Sequence, residues 1–139
     1  MPEVAQLLIA AHVVGDVVWI GSISAVALTL GQPNLDAKVR GEVGLSIYRR
    51  LATPAFAVAL VAGLIQLVMH PQHYFVDTKY MHAKLLFAFL VIGLHHTIGG
   101  RARRMASGQR LDAGPAPKLG WVLIALAAVA ATLAVTRPF

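Results

Sequence analysis

The sequence contains no cysteine, which removes disulfides and thiolate metal ligands from consideration. It is also poor in charge. Only 13% of its residues are Asp, Glu, Lys or Arg and 58% are hydrophobic, against about 25% charged and 45–50% apolar in soluble domains. No Lys or Arg precedes the first apolar run, which follows Met1-Pro2-Glu3. A signal peptide needs a basic start and a short apolar core, so the first segment reads as a retained helix. Strict apolar–polar alternation is missing too, which excludes membrane strands of about 10 residues.

What is present is length of apolar run. Four stretches stand out, roughly Val4–Leu30, Leu51–His70, Met81–Gly100 and Leu119–Thr136. Each has about 18 residues or more, enough to cross a hydrocarbon core of ~30 Å. The expected fold is therefore an all-α membrane protein, a single four-helix transmembrane domain over residues 1–139. The mean hydropathy of +0.69 agrees with that class.

The net charge of +6 does not point to nucleic acid, because the basic residues lie between apolar runs rather than on a continuous wet surface. Residues 31–50 carry Lys38, Arg40, Arg49 and Arg50, and residues 101–118 carry Arg101, Arg103, Arg104, Arg110 and Lys118. Nine of the twelve basic residues thus fall in two connections that a four-span chain must place on one side. The positive-inside rule assigns these connections to the cytoplasmic face of the inner (cell) membrane and both termini to the outer face.

Ionisable groups inside a span are costly and mark buried sites or water-lined paths. The first span holds His12 and Asp16, which share one helical face with Trp19, and the third holds His82, Lys84, His95 and His96. At ~100° per residue, Lys84 and His95 face within about 20° of each other, and His82 and His96 fall on nearly the opposite side. Asp16 needs either a proton or a partner, and Lys84 and His12 are the partners within reach. Bland readings stand beside these. A buried His12 can simply donate to the backbone carbonyl of a neighbouring helix, Lys84 can snorkel to the interface, and His96 can be interfacial. A neutral imidazole on a helix facing a bundle is also the usual axial ligand for haem. Lys and Arg near the membrane edge suit the propionates of a porphyrin, and Trp19 and Phe87 suit its faces. A standard zinc site lacks its His-x-x-x-His pair, and scattered methionines give no thioether chain for copper.

Several stretches, in order, resemble the HemJ family of membrane protoporphyrinogen IX oxidases. Ala11-His12-Val13-Val14 followed by Trp19-Ile20-Gly21 is similar to the family's first helix, H…W-x-x-G. Tyr48-Arg49-Arg50-Leu51-Ala52-Thr53-Pro54-Ala55 is similar to L-x-R-x-I-M-x-P-A. Met81-His82-Ala83-Lys84, then Gly93-Leu94-His95-His96, then Arg101 to Gly108 resemble W-x-H-x-K…H-H…R…A-x-G. The closing Val135-Thr136-Arg137-Pro138-Phe139 resembles V-x-[KR]-P-F. The resemblance spans nearly the whole chain. It implies a four-helix membrane protein that binds haem b and oxidises protoporphyrinogen IX to protoporphyrin IX in haem biosynthesis.

Carried over residue by residue, the resemblance makes His12 the axial metal ligand. It matches the family's Lys and following His to Lys84 and His95, and its Arg before the proline motif to Arg49 or Arg50. With the spacing reading added, the cofactor-binding set is His12, Trp19, Arg49 and His82, and the catalytic set is Asp16, Lys84 and His95. The chain departs from the family in four respects. Ser24 to Gly31 replaces an aromatic segment with an Arg and a second His, Ala52 stands where the family has Met, Tyr80 replaces a Trp, and Asp16 is an addition. The expected partners are a porphyrinogen-type small molecule, the lipid bilayer and a membrane electron acceptor such as a quinone. Small residues such as Gly15 and Gly93 allow a homodimer or higher oligomer. Three rival readings remain at this stage: a haem-binding electron-transfer or accessory subunit without oxidase activity, a CopD-like copper transport protein, and a purely structural bundle braced by an Asp16–Lys84 pair.

Overall fold

Within hydrocarbon every backbone N–H and C=O has to be satisfied inside the chain, and here helices satisfy them. The computed structural model describes residues 2–136. The Arg137-Pro138-Phe139 part of the family-like terminus lies outside the described residues. Five α-helices follow in order: α1 (Pro2–Leu30), α2 (Ala37–Ile47), α3 (Thr53–Met69), α4 (Tyr80–Ala106) and α5 (Ala116–Thr136). Single π-helical turns occupy Tyr48–Ala52 and His73–Asp77. No strand occurs among the described residues. Four helical rods are long and apolar enough to cross a membrane: Glu3–Leu30, Ala37–Met69, Tyr80–Ala106 and Ala116–Thr136. The chain is an all-α, multi-pass membrane protein.

The helix boundaries follow local chemistry. Pro54 stands in the first turn of α3, directly after the π-turn. Gly108, at φ 75°, adopts the left-handed conformation that ends α4, and the Arg110 amide there donates back to the Arg104 carbonyl.

The second rod differs from the sequence expectation, which treated residues 31–50 as a connection. Residues 37–47 form α2, and the π-turn joins it to α3 as one continuous 33-residue helix. Two physical causes account for this. Gly41 and Gly44 let α2 lie directly on its neighbours: a Cβ at Gly44 would stand 3.1 Å from Leu30, and one at Gly41 would collide with the Met105–Ala106 backbone. The wider π-turn then accommodates Pro54, which has no N–H to continue the regular ladder. Helix α4 likewise runs past Gly100 to Ala106, because Ala102 and Met105 are buried beneath α2.

Helix α1 is central. It packs against α3 on one side and α5 on the other, and α4 packs against α5 and α2. The α3 and α4 backbones do not run side by side; they meet through Phe56 against His95 and His96. The large core side chains, Ile23, Val26, Leu30, Ile98, Met105 and Leu123, gather in the half nearer the basic connections. In the other half the residues buried between α1 and α3 are small, Gly15, Ala59 and Ala62. The outward faces are apolar and largely exposed, as at Leu7, Val68 and Phe89. In water such a surface is an aggregation hazard, and in a bilayer it is the lipid boundary.

Candidate functional site

The intramembrane polar residues fall into two groups at different depths. The first is built on α1 and α3, which approach so closely that a Cβ at Gly15 would lie 2.9 Å from the Ala59 amide nitrogen. His12 Nδ1–H donates to the Ala59 carbonyl at 2.8 Å. Gly63, one turn on, makes the room for its ring, since a Cβ there would stand 3.0 Å from His12 Cε1. Gln66 Nε2 adds a further tie between these helices by donating to the Leu8 carbonyl at 3.2 Å.

His12 Nε2 faces Asp16 Oδ2 at 3.4 Å. With Nδ1 committed as donor, a neutral His12 carries its lone pair on Nε2. One proton between the two atoms, on either partner, makes that contact attractive. The side chains remain 22% and 40% exposed, so the pair borders the open side of the bundle. Of the two partners open to Asp16, His12 is the one in contact. Lys84 is half-buried on α4 and within electrostatic reach of Asp16. Among the described residues, however, no ion pair within 4.0 Å joins the two.

The second group lies about 10 Å further along α1, seven residues at ~1.5 Å each. His95 is fully buried there. Trp19 Nε1–H donates to His95 Nδ1 at 3.0 Å. Indole N–H is donor-only, so Nδ1 holds the lone pair and the ring proton sits on Nε2, which is buried without a partner among the described residues. Tyr48 stacks on the imidazole at 4.8 Å between centroids and Phe56 covers it at 5.1 Å. Gly99 is required at this level, because the Tyr48 ring occupies the space its Cβ would take. The angular offsets along α4 are realised: Lys84 and His95 both turn inward, whereas His82 and His96 are exposed.

His82 and Arg49 join neither group, whereas His96 borders the second, edge-on to His95. His82 is exposed at the start of α4 and lies edge-on to Phe75, 6.1 Å between centroids. Arg49 is exposed on the π-turn, and ten helical residues separate it from Ala59, about 15 Å along the rod. It therefore does not share a site with His12. His96 Nδ1 is 3.5 Å from the Tyr48 hydroxyl. Tyr48, Phe56, Ala59 and Gly63 were not singled out by the sequence. The spacing of Phe56, Ala59 and Gly63 at i, i+3 and i+7 was the available signal for one α3 face turned toward α1.

An open cavity of about 280 Å³ lies elsewhere, between α4 and α5 at the basic end. No group of three or more His, Cys, Asp or Glu poised for a metal ion occurs among the described residues. No protein-family model, curated protein or solved structure matches the chain. The residue geometry therefore carries the functional argument.

That geometry can be tested against haem through its donor atoms. A metal-binding imidazole characteristically donates its other ring N–H to a carbonyl or carboxylate, which sets its tautomer and angle. His12 has that arrangement, with Nδ1–H on Ala59, and its Nε2 would exchange the Asp16 contact for the metal. His95 has the reverse one, because the bond from Trp19 places the proton on Nε2. With Ala52 supplying no thioether, the chain's own side chains fit ligation by the single histidine His12.

Proposed function

We propose that this chain is a haem-b-binding membrane oxidoreductase of the HemJ type, oxidising protoporphyrinogen IX to protoporphyrin IX, with His12 as axial ligand. The observation that carries the reading is the His12 ring, fixed through Nδ1–H by the Ala59 carbonyl over Gly63, with Nε2 beside Asp16 at the half-open side. The loops carrying the basic residues lie on the cytoplasmic face in this reading.

Oxidation of a porphyrinogen removes six electrons and six protons, and bound haem supplies one-electron redox chemistry. The protein's part is to hold the tetrapyrrole and move protons. Asp16 Oδ2, beside His12 and half-exposed, accepts a proton from substrate on the open side. The Lys84 ammonium lies within reach of the same carboxylate and attracts an anionic propionate into that half of the bundle. The buried Trp19–His95–Tyr48–Phe56 layer closes the floor below the site and keeps water from crossing. Electrons leave to a membrane acceptor of the quinone class. In this reading the macrocycle lies against lipid or a second copy completes its cover.

The test is the visible spectrum of the protein in mild detergent, oxidised and dithionite-reduced. The expected result is a Soret band with reduced b-type bands, both lost in His12→Ala. Stoichiometric haem in His12→Ala overturns the ligand assignment. A colourless protein that takes up no added haemin overturns the haem reading. Complementation of a strain lacking protoporphyrinogen oxidase then separates the oxidase from an electron-transfer subunit, which shows the spectrum and fails to complement.

A further inference from the structure

The cavity between α4 and α5 lies outside the haem argument and has its own chemistry. Its lining includes His96, Thr97, Arg101, Arg104, Pro115 and Leu119. Two guanidinium groups thus meet at the start of α5, where an anion is favoured by charge. Arg101 is pre-positioned. Its Nη2 donates to Asp112 Oδ1 at 2.8 Å, and its guanidinium lies over Gly114 (φ 53°), where a Cβ would come within 2.7 Å of Arg101 Cζ. The segment carrying Asp112 is itself tied down, since Arg40 donates to the carbonyls of Leu30 and Leu111. Asp112 takes one nitrogen of the fork, while Arg101 Nε is buried with no partner among the described residues. Arg104 is exposed and makes no ion pair among the described residues.

The depth of this cavity identifies its ligand. On α4 the apolar run gives way to the basic run at Arg101, so the cavity straddles the polar–apolar boundary. Trp121, 63% exposed one turn into α5, is the type of residue that anchors at the headgroup level. A basic pocket between spanning helices at that level fits an anionic lipid head group. We propose that Arg101 and Arg104, in the cavity between α4 and α5, form a binding site for the phosphate of an anionic phospholipid. One acyl chain then runs along the groove past Leu119.

The full chain in detergent micelles tests this by thermal unfolding with added dioleoyl phosphatidylglycerol, dioleoyl phosphatidylcholine or inorganic phosphate. Phosphatidylglycerol is expected to raise Tm in proportion to its occupancy, and the other two to leave it unchanged. Arg104→Gln is expected to weaken the phosphatidylglycerol effect about tenfold in concentration, the loss of one charge-assisted contact. Arg101→Gln/Arg104→Gln is expected to abolish it, and Arg103→Gln, one position off the cavity, to retain it. An equal rise with phosphatidylcholine, an equal rise with inorganic phosphate, or an unchanged response in Arg104→Gln overturns the proposal. Arg104 has no internal partner to lose, so its variant remains informative if the double variant does not fold.

Discussion

In the half of the bundle nearer the basic connections, His95 is sealed by Trp19, Tyr48 and Phe56 and is wholly buried. In the other half, His12 and Asp16 are bonded to α3 and to each other yet stay 22% and 40% exposed. The same residue type is thus used in two ways. His95 fills space and accepts a hydrogen bond, and one ring nitrogen is left without a partner. His12 is aimed, with one nitrogen anchored on the Ala59 carbonyl and the other turned to Asp16 at the open side. Burial depth alone would have favoured His95 as the functional histidine, whereas the tautomers imposed by the hydrogen bonds favour His12.

That contrast breaks first at the packed end. Gly99→Val would drive a branched side chain into the Tyr48 ring, which is held by its stack on His95. The expected cost is about 3 kcal/mol or more, at or above the usual range for overpacking. It should appear as loss of a monodisperse peak in size-exclusion chromatography, or as a fall in Tm of many degrees. A near-native Tm would mean that Tyr48 swings clear and that the seal is loose. A smaller effect is expected from Trp19→Phe, which strands His95 Nδ1 in an apolar layer at about 1–3 kcal/mol. Adding His95→Phe to that variant removes the stranded group and should recover most of the loss. If thermal unfolding shows no recovery, the layer depends on the indole's shape rather than on its hydrogen bond.

The spans and their order were legible because a helix crossing ~30 Å of hydrocarbon must be a long apolar run, and each of the four rods contains one. The inward face of α4 was legible by angle alone, since Lys84 and His95 lie eleven residues apart. Helix α2 was not, because Lys38, Arg40 and Glu42 break up its apolar residues and its position depends on Gly41 and Gly44 meeting other helices. The α3 half of the His12 site was hidden for a related reason. Its contributions are a backbone carbonyl at Ala59 and the absence of a side chain at Gly63, neither of which composition or hydropathy records. Arg49 and His82 sit in motif-like stretches, yet motif order says nothing about depth, and the structure leaves both exposed.

The smallest predicted effect sharpens the contrast most. Lys84→Met removes a charge that acts on Asp16 across a gap, with no ion pair within 4.0 Å. Breaking a buried, directly bonded pair costs about 3–5 kcal/mol, while a loosely placed, partly wet charge contributes about 1 kcal/mol or less. The thermal midpoint of Lys84→Met should therefore stay within a few degrees of the parent. A loss as large as that of Trp19→Phe would show that Lys84 closes onto Asp16 in the membrane. The open half would then be braced as the sealed half is, and Asp16 would have to weaken that ion pair each time it took up a substrate proton.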